Sequence, residues 1–526
     1  MLLLVAGLAQ ALSLAWPFDG AWRGVPQGWL QSASLAVLAA MLDRSRSIPQ
    51  AFFQAWLFAW VWLCGSTWWL FISLHTYGQL AAPLAVAAVL LLSAALALLY
   101  GAAGALFHRI CAHTQLAVVA RVLSFASVWV LAELVRGTLW TGFPWGAGGY
   151  AQVDGLMRHW APWVGVYGLS ALSAALAMTL VARRSQPVSH GVWTRSWTTC
   201  VLLALTWMWM TSPSQTASTA ATPPLRVTLL QGNIPQDLKF GARGVGRALR
   251  DYREGLLVSN SDLTVTPETA LPMPPEQLPD GYWAGVQQHF STGTRAALIG
   301  LPLVQRHADG QRQYSNSALG LMPQTTPAST AMYQYDKHHL VPFGEFVPPL
   351  FHWFVRMLNI PLGDFTRGEA VQPTLHFKGE RIAPNICYED LFGEELARSF
   401  ADPHNAPTML VNLSNIAWFG DTVAIDQHLH ISRMRALELG RPMLRATNTG
   451  ATAVINAQGE VTHRLPSAVA GALTADVVGV HDQVTPYARW VSVWGLWPLA
   501  GLAFLTLLVV TWMAHAGRHG PRRFGP

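Results

Sequence analysis

Three short segments of the 526-residue chain carry residue types that together can do acyl chemistry. They are DLTVTPETALP with Glu268, YDKHHLVPFGEFVP with Lys337 and Glu345, and RIAPNICYED with Cys387. Cys387 has no disulfide partner in its own part of the chain, because Cys64, Cys111 and Cys200 lie in or near the ends of apolar runs. A free thiol, with a pKa of about 8.5, is a weak nucleophile until a base or a positive charge acts on it. A carboxylate to take the thiol proton, an ammonium to stabilise developing negative charge and a thiolate to attack make a coherent acyl-transfer set. Lysine is scarce: Lys239, Lys337 and Lys378 are its only instances among 34 basic residues, so a Lys inside a dense motif points to a compact, movable ammonium.

The same residues have plainer readings. Cys387 could be an inert buried thiol, Lys337 a surface charge, Glu268 a helix-start carboxylate and Glu345 half of a loop salt bridge. His338, His339, His428 and His430 lack a zincin spacing, so no metal and no cofactor are expected. Asn412 and Asn415 read as braces for a sheet edge.

Something must hold three distant segments together. Short β-type runs (RVTLLQ, DLTVT, AALIGLP, TMLVNLS, TAVINA) alternate with helix-like stretches at 241–257 and 423–439, which argues for an α/β domain with a buried sheet. Each chemical segment begins just after a strand, where α/β folds place their sites. No internal repeat stands out.

The rest of the chain is of another kind. Of 28 acidic residues, only Asp19, Asp43, Glu133 and Asp154 precede position 225, and all the others lie between 225 and 490. Apolar runs fall at about 2–16, 27–42, 52–74, 81–107, 118–135, 162–182, 198–211 and 491–514, giving about eight expected spans, the first two short for the ~20 residues a spanning helix needs. A signal peptide at 2–16 is disfavoured by the missing charged start and cleavage site. Arg44, Arg46, Arg109, Arg121, Arg183, Arg184, Arg195, Arg518, Arg522 and Arg523 then fall on one face, against Arg23, Arg136 and Arg158 on the other. The positive-inside rule puts both termini in the cytoplasm and 225–490 outside, on the periplasmic side of a bacterial inner membrane. The net charge of +6 comes without a basic run interleaved with aromatics, so nucleic acid is not expected as a partner. The expected organisation is a transmembrane domain at 1–211 with about seven spans, a small-residue linker at 212–224, a catalytic domain at 225–490, a final span at 491–514 and a basic cytoplasmic tail at 515–526. In the loop 136–152, GFPWGAGGY cannot continue a helix, and irregular backbone at a membrane boundary must be covered by protein or line a cavity.

Glu268 in TPETALP, Lys337 in YDKHHLVPFGE and Cys387 in NICYED resemble the Glu-Lys-Cys triad of the nitrilase superfamily, and their wording resembles its membrane branch, the apolipoprotein N-acyltransferases. VRGTLWTGFPWGAGGYAQ (135–152), LLQGNIPQDLKF (229–240), LVNLSNIAWFG (410–420), RPMLRATNTGATAVINAQG (441–459) and TPYARW (485–490) extend the resemblance through most of the chain. Where the family often has Trp after the Lys of the second of these motifs, this chain has Phe240.

The resemblance implies an αββα sandwich and catalysis by Glu268, Lys337 and Cys387, with Glu345, Tyr388, Glu389 and Phe240 in support. The Tyr388 amide would act as an oxyanion donor. Cys387 would take an acyl chain from a phospholipid as a thioester and pass it to the α-amine of the lipid-modified N-terminal cysteine of an apolipoprotein. The loop 136–152, with Phe143, Trp145 and Tyr150, and the segment near Phe240 are expected to form an apolar way in from the bilayer for the acyl chain. Two rivals stand beside this reading: a membrane-tethered nitrilase-type amidase acting on a small amide, and a non-enzymatic membrane scaffold or transporter. The second should carry ionisable residues within its spans, and few are found there.

Overall fold

The computed structural model describes residues 1–111, 118–182, 223–306, 312–324, 332–348, 351, 365–481 and 483–518. The expected span at 198–211 and residues 212–222 of the expected linker lie outside the described residues. The chain divides into two compact units, one of residues 1–68, 86–214 and 494–526, the other of 69–85 and 215–493.

The first unit is helical. Among the described residues, Ala82–Cys111, Val118–Thr138, Leu156–Ala182 and Trp497–His515 are each long and apolar enough to cross a membrane, and a fifth span results if Ile48–Thr67 and Leu70–Tyr77 count as one bent pair. About eight spans were expected. Leu2–Leu12 and Gly28–Asp43 are helices of 11 and 16 residues, below spanning length, and the run expected at 52–74 stops at Thr67. Leu38, Ala55, Phe58, Trp62, Phe107, Trp129, Ala177 and Leu507 meet in one core, and small residues at many contacts let the helices approach closely.

Two ionisable residues inside Val118–Thr138 explain the irregular loop after it. The buried Glu133 accepts the N–H of Gly148 at 3.0 Å through Oε1, and the buried Arg136 donates from Nη1 to the carbonyls of Phe143 (2.6 Å) and Trp145 (2.8 Å). Arg136, counted from sequence as a loop charge, is thus a buried staple that satisfies backbone groups lipid would leave unpaired. At Gly149 a Cβ would stand 2.0 Å from the Val166 carbonyl oxygen, which accounts for glycine at that close approach.

The second unit is an α/β sandwich. One six-stranded sheet has the order β12-β1-β2-β3-β4-β5, with β1 (Leu225–Gln231), β2 (Leu263–Val265), β3 (Ala296–Arg306), β4 (Arg312–Leu321), β5 (Tyr333–Asp336) and β12 (Gly471–Val477). The other has the order β11-β10-β9-β8-β7-β6, with β6 (Leu375–Phe377), β7 (Glu380–Ile386), β8 (Met409–Ser414), β9 (Met443–Thr447), β10 (Ala453–Ile455) and β11 (Val461–Arg464). Parallel pairing runs through β1-β2-β3 and β7-β8-β9, and the edges are antiparallel. Val227, Leu229, Leu263 and Leu298 face Ile382, Ile386, Met409, Val411 and Leu444 across the core between the sheets. On β3, Ala297, Ile299 and Leu301 point the other way, against Leu249, Tyr252, Val286 and Phe290 of the helices Ala242–Val258 and Tyr282–Ser291. A strand covered on both faces reads as an unbroken apolar run, as AALIGL does. The helix Ala424–Leu439, buried at every position but Asp426, contacts β9 of the second sheet.

Residues 69–85 join this unit rather than the helical one. The Trp69 ring meets Phe419 at 4.2 Å between centroids and its Nε1 donates to Gln427 Oε1 at 3.1 Å, while Tyr77 stands edge-on to Trp418.

Candidate functional site

The strand ends of both sheets deliver the chemical residues. Glu268 follows β2 in a turn where Thr269 holds a left-handed φ of 45°. Gly300 on β3 lies beneath it: a Cβ there would come within 2.2 Å of the Pro267 carbonyl oxygen, so only glycine lets the turn sit down on the strand. Lys337 follows β5, and its N–H donates to the Asn316 carbonyl at 2.8 Å, extending the pairing with β4 by one residue. Cys387 follows β7, opens the 3-10 turn Cys387–Leu391 and has φ 54°, an uncommon conformation for a non-glycine residue and one found at functional sites.

The side chains converge. Lys337 Nζ donates to Glu268 Oε1 at 3.1 Å and to Glu345 Oε1 at 2.9 Å, with the ammonium 1% exposed. Asn316 Nδ2 donates to the same two carboxylates, at 2.7 Å each. Glu268 Oε2 accepts the N–H of Asn415 at 2.9 Å, and Glu345 Oε2 that of Val341 at 2.8 Å. Four acceptor oxygens therefore face only donors, the arrangement an ionised carboxylate needs. Cys387 is half-buried; the Ser414 hydroxyl donates to its Sγ at 3.4 Å and Asn412 Nδ2 to its carbonyl at 3.2 Å.

Electrostatics assign the resting protons. Burial pushes the Cys387 thiol up, Glu268 adds to the rise and Lys337 offsets part of it, leaving the thiol at about 12. For Glu268, burial alone would raise the carboxyl, but the Lys337 and Lys239 ammoniums and the Asn316 amide outweigh it and hold the group below its ordinary value. Burial opposes the charge on Lys337, yet Glu268 and Glu345 hold it well above the usual lysine range. At rest the trio is a thiol, a carboxylate and an ammonium.

The supporting residues divide. Glu389 is buried and binds four donors: the N–H groups of Ile386 (2.6 Å), His338 (2.6 Å) and His339 (3.1 Å), and the Tyr335 hydroxyl (2.9 Å). The Tyr388 ring packs against His339 and Phe392. Phe240 is 55% exposed. Phe143 and Trp145 belong to the helical unit, and Trp145 is only 3% exposed.

Several residues at the site were given no role by the sequence reading. Asn316 sits mid-strand on β4, and Ser414 is the last residue of β8. Lys239, noted in the sequence for its rarity, is buried with Nζ donating to the Glu268 carbonyl at 3.2 Å and to Thr269 Oγ1 at 2.5 Å. Behind the Cys387 turn, Asp390 accepts from His428 Nε2 at 2.9 Å and Ser432 Oγ at 2.5 Å, and Arg445 Nη1 lies at 3.2 Å, a buried network anchoring the turn to the helix Ala424–Leu439. Among the described residues, no group of three or more His, Cys, Asp or Glu has an arrangement that could hold a metal ion.

A Glu-Lys-Cys cluster at the strand ends of an αββα sandwich defines a carbon–nitrogen hydrolase-type catalytic unit, and residues 226–481 match the carbon-nitrogen hydrolase family model. Residues 8–179 match the model of the apolipoprotein N-acyltransferase N-terminal domain. The chain is 51% identical over 510 residues to an apolipoprotein N-acyltransferase of Verminephrobacter eiseniae, covering 94% of this chain and 92% of that one. It is 45% identical over 482 residues to another from Ralstonia nicotianae, covering 91% and 88%. The chain belongs to the apolipoprotein N-acyltransferase family. A solved amidase of the nitrilase superfamily from Nesterenkonia covers 51% of this chain and 94% of its own at 17% identity and a TM-score of 0.35, too low to carry any argument about the site.

Proposed function

We infer that the protein transfers an acyl chain from a phospholipid, by way of a Cys387 thioester, to the α-amine of the lipid-modified N-terminal cysteine of an apolipoprotein. The observation that carries the reading is the buried Lys337 ammonium bridging Glu268 and Glu345 at 3.1 and 2.9 Å, with a half-buried thiol beside it, in a chain whose other half is built of membrane-length helices.

In the first step the Cys387 sulfur attacks the ester carbonyl as Glu268 takes the thiol proton. The oxyanion is stabilised by Lys337 and by the Tyr388 amide, which directly follows the nucleophile. Collapse breaks the ester C–O bond, and Glu268 returns the proton to the departing lysophospholipid alkoxide. In the second step the acceptor amine attacks the thioester, Glu268 accepts a proton from the nitrogen while Lys337 again faces the oxyanion, and collapse breaks the C–S bond with Glu268 returning that proton to the departing sulfur, which restores the thiol. Both substrates are anchored in lipid, which gives the helical unit its purpose: it keeps the site at the surface where they meet. The orientation that fits is an inner-membrane protein with residues 225–490 on the periplasmic side.

The test is transfer itself. Purified protein in mixed micelles, given phospholipid with a labelled acyl chain and a synthetic diacylated lipopeptide with a free N-terminal amine, should yield one amide-linked labelled acyl group per peptide. Release of free labelled fatty acid with no labelled peptide would favour hydrolysis instead.

A further inference from the structure

The catalytic unit holds a second buried ammonium that the triad does not use. Lys239 ends the short helix Gln236–Lys239, which follows β1, and it is 3% exposed. A buried ammonium is costly unless hydrogen-bonded and paired, so its partners reveal what holds it there. Both are the Glu268 turn: the Glu268 carbonyl at 3.2 Å and Thr269 Oγ1 at 2.5 Å. Thr269 is β-branched and held at φ 45°, a conformation such residues adopt only when their surroundings impose it. The helix is fixed in turn to the other sheet, because Gln236 Oε1 accepts from Asn415 Nδ2 at 3.0 Å while the Asn415 N–H donates to Glu268 Oε2 at 2.9 Å.

We propose that Lys239 is a positioning residue of the acyl-transfer site: its ammonium fastens the Glu268–Thr269 turn and supplies a second positive charge that keeps Glu268 ready to accept a proton. The proposal rests on Glu268 being the base for Cys387. The groups facing the Glu268 carboxyl are Lys337 after β5, Asn316 on β4, the Asn415 amide after β8, Cys387 after β7 and Lys239 after β1, with Glu345 sharing Lys337 and Asn316. Lys337 is divided between two carboxylates, so without Lys239 the pair of acids faces one ammonium. Burial brings Lys239 down to about 8, with Glu268 and Cys387 resisting the fall, so it is still mainly a cation at neutral pH.

The experiment is the pH profile of the first step alone, read as the rate at which Cys387 gains the acyl mass from phospholipid in a single turnover. Lys239→Gln keeps amide N–H donors for the turn but removes the charge; Lys239→Arg keeps charge; Thr269→Val removes the hydrogen bond and keeps the charge. Loss of a positive neighbour makes the carboxylate harder to form, so the acid limb set by Glu268 should move up by about one pH unit in Lys239→Gln. It should stay in place in Lys239→Arg and in Thr269→Val, the latter only slower. A slower Lys239→Gln with an unmoved limb would reduce Lys239 to a structural brace and overturn the proposal, as would a wild-type rate and profile. Should Lys239→Gln fail to fold, as judged by its thermal transition, Lys239→Met under the same assay replaces it and the same two outcomes decide. Glu268→Gln serves as the separate check: if it acylates Cys387 at the wild-type rate, the reading of Glu268 as the base fails, whatever the Lys239 variants do.

Discussion

Glu389 Oε1 accepts the N–H of His338 at 2.6 Å, so the residue two positions after Cys387 is fastened to the residue one position after Lys337. The same carboxylate reaches back with Oε2 to the N–H of Ile386, the residue before Cys387, also at 2.6 Å. One side chain thereby ties the end of β7 in one sheet to the end of β5 in the other. Thiol and ammonium thus sit beside backbone groups that one carboxylate fastens to each other.

Glu389→Gln should therefore slow chemistry more than binding. The amide keeps the shape but turns an N–H₂ toward groups that are themselves donors. Hydrogen bonds to a charged partner contribute about 1.5–3 kcal/mol, so the acylation rate should fall about 10- to 100-fold. The half-saturating phospholipid concentration should hardly change. Single-turnover rates across donor concentrations check this.

The thiol is expected to be unreactive at rest. Since burial and Glu268 hold it at about 12, its alkylation by a small maleimide should keep rising with pH through 9 without a plateau. An ordinary exposed thiol levels off above its pKa of about 8.5. A plateau near neutral pH would mean a preformed thiolate.

Substituting Lys337 by Arg should be nearly as damaging as substituting it by Ala. The ammonium sits between two carboxylates at 3.1 and 2.9 Å with no exposure to speak of, and a planar guanidinium cannot occupy that point. Loss of one oxyanion donor costs about 10²–10³ in rate. The acylation rates of both variants test it, and an Arg variant near full activity would make Lys337 a generic cation.

The aromatic residues expected to guide the acyl chain now separate into two kinds. Phe240 is exposed, so Phe240→Asp should slow acylation by long-chain phospholipid more than by a short-chain soluble ester, each buried CH₂ being worth about 0.8 kcal/mol. Trp145 is buried in the helical unit, so Trp145→Asp should lower the thermal transition and slow both donors alike. Paired donor assays with a melting curve tell these apart.

How much of this could be seen in the sequence depended on whether a residue's partners were local. The strands were legible because two-sided burial writes itself as runs such as AALIGL, and Glu268, Lys337 and Cys387 because each lies in a dense motif just past a strand. Asn316 was not, because its role comes from strand register: β4 pairs with β5 at Ser317↔Asp336, which brings residue 316 beside residue 337. Ser414 likewise reaches Cys387 only through the parallel pairing of β7 and β8. Hydropathy also missed the break after Thr67, since TWWLFISL is apolar on both sides of it. Only three-dimensional packing, with Trp69 set on Phe419, assigns residues 69–85 to the catalytic unit.

The central claim is most directly tested by the mass of Cys387 after incubation with phospholipid in the absence of any acceptor. The expected result is one acyl group on that residue, stable until a diacylated lipopeptide with a free α-amine is added, lost on its addition, and unaffected by the N-acetylated peptide. An unmodified Cys387 in an enzyme that still transfers acyl chains, or full transfer by Cys387→Ala, would contradict it.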